Sequence, residues 1–139
     1  MSEALPTNCE ISFDIWSNNS NTNGEHRFFI LPKSQYSSDT IQPQYGLYVD
    51  QVGGNKGRLG QRNNNSTSDF IEKYSLTNSS YHTVKIIKTN DSLEFYIDDT
   101  LKTTQVLNWI NNYTDYCFSM IRWTSPGTSK IKNIKIKTL

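Results

Sequence analysis

Alanine occurs once in the 139 residues, at Ala4, and helix-filling residues are scarce throughout. Ala, Leu, Met and Glu together number 17, against 48 for Ile, Val, Phe, Tyr, Trp and Thr. The scarce group keeps most of its side-chain freedom in a helix, and the abundant group packs on pleated surfaces. A helical protein is therefore excluded and a β protein expected. Long apolar runs are also missing: none approaches the roughly 18–20 residues of a membrane span, so no membrane insertion is expected. Hydrophobic residues make up only 35% of the chain, against roughly 45–50% in ordinary domains. Asn, Ser and Thr fill the gap with 15, 16 and 14 residues. Excess charge is lacking, with 14 Lys and Arg against 13 Asp and Glu. That excludes a globally basic nucleic-acid binder and an acidic disordered tail. The two histidines form no His-Glu-x-x-His, and there is no Gly-x-Ser-x-Gly, so zinc and acyl-transfer enzymes are not expected. Cys9 and Cys117 have no metal-ligand spacing; two buried free thiols are expected, or else a disulfide between neighbouring strands in an oxidising compartment. Residues 1–8 lack the basic start and apolar core of a signal peptide, which fits a chain not secreted by that route or a domain cut from a longer one.

What is present alternates. Cys9, Ile11, Phe13 and Ile15 share one face, and Glu10, Ser12, Asp14 and Trp16 the other. That period of two predicts a half-buried strand. A polar loop at 17–24 leads to a second strand, His26–Leu31, closed by Pro32, and 33–44 reads as a long loop. Tyr45–Gln51 is a third strand, with Tyr45, Leu47 and Val49 on one face and Gly46, Tyr48 and Asp50 on the other. Gly53-Gly54-Asn55 has a hairpin signature and is no phosphate loop, because the spacing fails and no helix follows. Arg58–Arg62 and Asp69–Tyr74 read as short strands around a polar tip at 63–68. Tyr81 to Val106 reads as a β-meander turning at Asn90-Asp91 and Asp98-Asp99. Leu107–Tyr113 is expected to hold a helical turn, followed by strands at Tyr116–Thr124 and Ser129–Thr138 joined by a Pro126-Gly127 turn. About ten short strands without a convincing helix predict a sandwich or barrel. One domain, residues 9–139, is expected behind a tail at 1–8.

The stretch Tyr81-His82-Thr83-Val84-Lys85-Ile86-Ile87-Lys88, a turn, then Leu93-Glu94-Phe95-Tyr96-Ile97-Asp98-Asp99, resembles the central hairpin of concanavalin A-like jelly-roll domains. This is the lectin/glucanase and laminin-G-like superfamily. Glu10–Ile15 is similar to the early strand of those domains, and Lys132–Ile136 to their closing strand, so the likeness spans about residues 9–138. Asp99 stands where glycine is common. The resemblance implies an all-β, antiparallel, two-sheet jelly-roll sandwich with little or no helix.

Retaining glucanases of that superfamily carry a Glu-x-Asp-x-x-Glu strand, with two carboxyls about 5.5 Å apart. Here Glu10 and Asp14, and Glu94 and Asp98, are four residues apart, or about 13 Å along a strand, so a hydrolase or lyase is not favoured. Ca²⁺, used by many lectins of this fold, would draw on Asp98, Asp99 and Asp115, although no ligand ladder is recognisable. No other cofactor is expected. Aromatic residues beside polar ones carry the stronger signal, because sugar C–H faces pack on rings while polar neighbours bond the hydroxyls. Tyr48, Tyr96 and Arg122 would form a glycan platform if they share a concave sheet. Glu94 and Asp98 lie on the face of Tyr96, Trp123 follows Arg122, and Trp109 is either a plug or a binding residue. The last 23 residues carry Arg122, Lys130, Lys132, Lys135 and Lys137 without an acid, either to meet an anionic glycan or to guard an edge strand. The expected function is a non-catalytic, lectin-like carbohydrate-binding module for surface glycans, as in an adhesin or a viral or phage receptor-binding protein. An extracellular, cell-surface or virion setting is favoured. The alternative is a structural or assembly domain acting through protein–protein contacts, as a homo-oligomer or within a larger parent protein.

Overall fold

The computed structural model describes residues 5–19, 24–36, 42–123 and 127–139, without the side chains of Glu72 and Trp123. Ten described strands follow one another: β1 (Asn8–Ser17), β2 (Glu25–Pro32), β3 (Gly46–Val52), β4 (Lys56–Asn63), β5 (Ser66–Ser75), β6 (His82–Thr89), β7 (Ser92–Ile97), β8 (Thr100–Val106), β9 (Tyr116–Trp123) and β10 (Ser129–Thr138). They form two antiparallel sheets of five, ordered β10-β1-β6-β7-β8 and β5-β4-β3-β2-β9. Lys33–Gln35 forms a short 3-10 turn. Pro126 and the residues at 37–41 lie outside the described residues.

The core lies between the sheets and uses the alternating positions read from the sequence. Cys9, Ile11, Phe13 and Ile15 of β1, Val84 and Ile86 of β6, and Leu93, Phe95 and Ile97 of β7 close one side. Phe28, Ile30, Leu47, Val49 and Leu59 close the other. Full burial of each such side chain stabilises the fold by about 1.5–3 kcal/mol. Phe13 meets Phe118 edge-on across the gap, with ring centroids 5.3 Å apart. Lys88 shares the buried face of β6, and its ammonium donates to the carbonyls of Pro6 and Thr7 at 3.2 and 3.0 Å, which pins the chain leading into β1.

The asparagine content has a backbone role. Among the described residues, eight that are not glycine have positive φ, and seven of these are Asn or Asp. The pairs Asn64-Asn65 and Asp98-Asp99, and Gly54-Asn55, sit at hairpin tips. Two left-handed residues there match the twist of the flanking strands, and short polar side chains tolerate that region best. The tip expected at 63–68 is accordingly only two residues, and β4 and β5 run longer than expected. Leu107–Tyr113 forms successive turns, with Ile110 N–H donating to Leu107 and Asn112 N–H to Trp109.

Both cysteines are free. Cys9 lies in the core, whereas Cys117 packs with a second cluster on the far face of the other sheet, so the disulfide alternative is not realised. Burial pushes both thiols up, away from the reactive thiolate, although Cys117 is half-buried and not buried as expected.

His26 is fully buried, with Nδ1 bonded to the hydroxyls of Ser17 and Ser129. Burial lowers its pKa, and the Arg122 charge lowers it further. The folded state therefore resists a proton that the unfolded chain accepts below about pH 6.5. Stability should be intact above that pH and fall as the pH drops through it. Melting curves between pH 7.5 and 5 are expected to show this slope, and His26→Gln to flatten it. An unchanged slope in the variant would remove His26 as the cause. Asp14, whose carboxyl is held low by Asn133 and Thr83, adds stability that is present above about pH 4 and is lost only as the pH falls below it.

Candidate functional site

Among the described residues no second sheet covers the far face of the sheet β5-β4-β3-β2-β9, yet the side chains that β2 and β3 place there are buried. Phe29, Leu31, Tyr48 and Ile121 form an apolar cluster there. Two glycines of β4 on opposite faces make room for tyrosines. The Tyr74 ring crosses Gly57 on the core side, and the Tyr48 ring crosses Gly60 on the far side. Tyr48 donates its hydroxyl to Asp69, and the Arg27 guanidinium stacks 3.7 Å from its ring centre. Burial is the main reason its phenol is pushed well above the usual value.

Arg27 also donates two hydrogen bonds to Asp50, Nε to Oδ1 at 2.6 Å and Nη2 to Oδ2 at 2.7 Å. Arg58 adds Nε and Nη2 contacts to Asp50 Oδ2 at 3.1 and 2.8 Å and pairs with Glu25. Burial raises the Asp50 pKa, while the hydrogen bonds and charges of Arg27 and Arg58 oppose it. Because all four contacts come from guanidinium donors, the ionised carboxylate is the form this geometry fits. Gln42 Oε1 reaches Arg27 Nη1 at 3.5 Å, and Arg62 donates to the Pro43 carbonyl at 3.0 Å, so described parts of the β2–β3 connection also bond to this face. Glu25, Asp50 and Asp69 each already accept from Arg or Tyr, so this is a closed polar network rather than an open platform.

The expected convergence of Tyr48, Tyr96 and Arg122 does not occur. Tyr48 and Tyr96 belong to different sheets. Tyr96 lies on the outer face of β7, with the Lys85 ammonium 4.7 Å over its ring, and Glu94 shares that face. Arg122 pairs with His26 rather than with a far-face position and donates to the Gly127 carbonyl. Asp98 accepts from Thr83 N–H and bonds His82 Nδ1 at 2.7 Å, so it anchors a hairpin turn. The backbone of Trp123 pairs with Glu25, and its side chain lies outside the described residues. Lys130 and Lys132 of the basic stripe sit over the rings of Trp16 and Tyr81. Asp99 lies 3.4 Å from Lys85, and no three His, Cys, Asp or Glu converge among the described residues.

An open concave site among the described residues lies at one end of the sandwich and includes Trp109. Trp109 is 4% exposed and donates Nε1–H to Gln61 Oε1 at 2.8 Å. Tyr45 stands against it with ring centroids 5.6 Å apart, and Tyr113 stands against Tyr45 at the same distance. Beside this aromatic ladder is a cavity of about 240 Å³, rimmed by Asn63, Asn108 and Asn112 and by the exposed Val106. A second hollow, of about 440 Å³, begins at Tyr113 and takes in Lys33 and Asp115. Trp109 is thus both plug and cavity wall. Sequence reasoning missed Tyr45, Gln61 and the asparagines. The only local signal was the run Asn108-Trp109 to Asn111-Asn112-Tyr113, which concentrates rings and amides in one loop.

No family model matches the chain, and no curated protein matches it in sequence. Its shape is similar to that of solved structures. Carbohydrate binding module CBM66 from Bacillus subtilis aligns with a TM-score of 0.61 at 13% identity, over 99% of this chain and 78% of that one. A human galectin-16 variant aligns with a TM-score of 0.64 at 9% identity, over 99% and 93%. A Bacillus licheniformis beta-glucanase aligns with a TM-score of 0.59 at 18% identity, over 92% and 57%. The fold is the concanavalin A-like jelly-roll sandwich.

Proposed function

Within this jelly-roll framework, we propose that the chain is a non-catalytic glycan-binding module that acts through the end cavity beside Tyr45 and Trp109. The observation that carries the reading is an aromatic wall facing side-chain amides in an open hollow. Such a site packs the C–H face of a sugar and bonds its hydroxyls. Likeness to a carbohydrate binding module and a galectin supports the same class. A non-catalytic role is supported by the far sheet face, where Asp50 and Glu25 are held by arginines and Asp69 accepts from the Tyr48 hydroxyl. Recognition of a surface glycan, as in an adhesin or receptor-binding protein, is the setting this reading favours.

A glycan array followed by calorimetric titration tests the proposal. Binding should appear without release of reducing ends, and Tyr45→Ala should weaken it about 10-fold. An array blank for both monomer and any oligomer would sink the reading.

A further inference from the structure

We infer that the end cavity takes a single neutral sugar residue at the free end of a glycan and discriminates against uronic and sialic acids. The inference rests on the glycan-binding reading and adds the ligand class. Size is the first argument. A cavity of about 240 Å³ falls below the roughly 300–1,000 Å³ of pockets that enclose drug-sized molecules. One hexose ring with its hydroxyls is the size of ligand such a hollow holds, and further residues of a glycan would extend through its open side.

Charge is the second argument. The described lining residues include no Lys, Arg, His, Asp or Glu. A carboxylate placed there would lose water with no cation to replace it, which is costly. A hydroxyl loses far less, because it both donates and accepts, as do side-chain amides. Availability is the third. Gln61 Oε1 is committed to Trp109, and its Nε2 has no described partner. The side-chain amides of Asn63, Asn108 and Asn112 likewise bond to no described residue. Four amides therefore surround a ring-sized hollow whose wall is Tyr45 and Trp109. The neighbouring hollow, which does contain Lys33 and Asp115, begins at Tyr113 and shares no lining residue with this cavity.

The test is an NMR titration of the intact chain, read at the Trp109 indole N–H and the Gln61 side-chain amide. The probes are methyl glycosides of glucose, galactose, mannose, fucose, N-acetylglucosamine and N-acetylgalactosamine, beside those of glucuronic and sialic acid. Oligosaccharides from the glycan array complete the set. At least one neutral glycoside should shift both signals, and the acids should bind at least about 10-fold more weakly. Oligosaccharides ending in the same unit should gain less than about threefold. Asn108→Ala, at an exposed position of the rim, should weaken the neutral sugar about 3- to 10-fold. Equal binding of acids, or binding of oligosaccharides whose single units do not bind, overturns the ligand class and leaves the glycan reading standing. A neutral sugar that binds without moving Trp109 and Gln61 overturns the site. No binding by any sugar, short or long, overturns both.

Discussion

Asp50→Ala is expected to lower folding stability by about 3–5 kcal/mol, because it removes the carboxylate that takes both short hydrogen bonds of a buried guanidinium. Arg27 is 5% exposed at its side chain and Asp50 is fully buried. With the carboxylate gone, Arg27 loses both short hydrogen bonds, and Glu25, which pairs with Arg58 and lies 3.8 Å from Arg27, is left to balance two cations. Asp50→Asn keeps the shape but offers an amide to guanidiniums that need acceptors, so it should cost nearly as much. The double variant Arg27→Met/Asp50→Leu removes both charges and should recover most of the loss, since a well-packed apolar pair often replaces a buried ion pair at little cost. Urea unfolding of the four proteins provides the comparison. A cost below about 1 kcal/mol for Asp50→Ala would mean that water or another cation partner compensates the pair, contrary to the burial described above.

Gly60→Ala should be the other severe substitution. A Cβ at this position would lie 2.2 Å from the Tyr48 hydroxyl oxygen, 2.3 Å from Cζ and 2.6 Å from the Ser68 carbonyl oxygen. The ring has nowhere to go, because Arg27 stacks on it and Phe29 stands edge-on to it at 6.1 Å. The Ser68 carbonyl belongs to the backbone of β5, next to β4, so it cannot swing aside. Overpacking of a filled region costs about 1–3 kcal/mol, and loss of the Tyr48–Asp69 hydrogen bond adds about 1. A double-mutant cycle separates the two obstacles. If the ring is the main one, Tyr48→Leu should cost less in the Gly60→Ala background than in the wild type. Additive costs would shift the blame to the Ser68 carbonyl.

The two cases also mark where sequence reading stops. Alternation placed Tyr48 and Asp50 on one face of β3, opposite Leu47 and Val49, and that is where they lie. What it could not say is whether that face meets water. The hairpin centred on Gly54 puts Asp50 opposite Arg58, a pairing derivable from the turn alone. Arg27 joins them only because β2 pairs with β3 across a connection of more than ten residues. The basic stripe shows the same limit. Its lysines were legible as edge-strand positions, but the stacking of Lys130 on Trp16 and Lys132 on Tyr81 depends on β10 lying along β1.

The near absence of alanine and the period-two pattern were enough to determine an all-strand chain and its core positions, because the direction of a side chain on a strand is set by its own backbone. The abundance of asparagine, at first only a polar filler, is largely explained by turns that need left-handed residues. Tertiary structure alone decided which strands share a sheet, and hence that Tyr48 and Tyr96 stand apart while Tyr45, Gln61, Trp109 and Tyr113 meet at one end. Strand order follows from long-range pairing, stabilised when two inner faces close over a shared core. That energy belongs to the folded whole, and no window of sequence contains it.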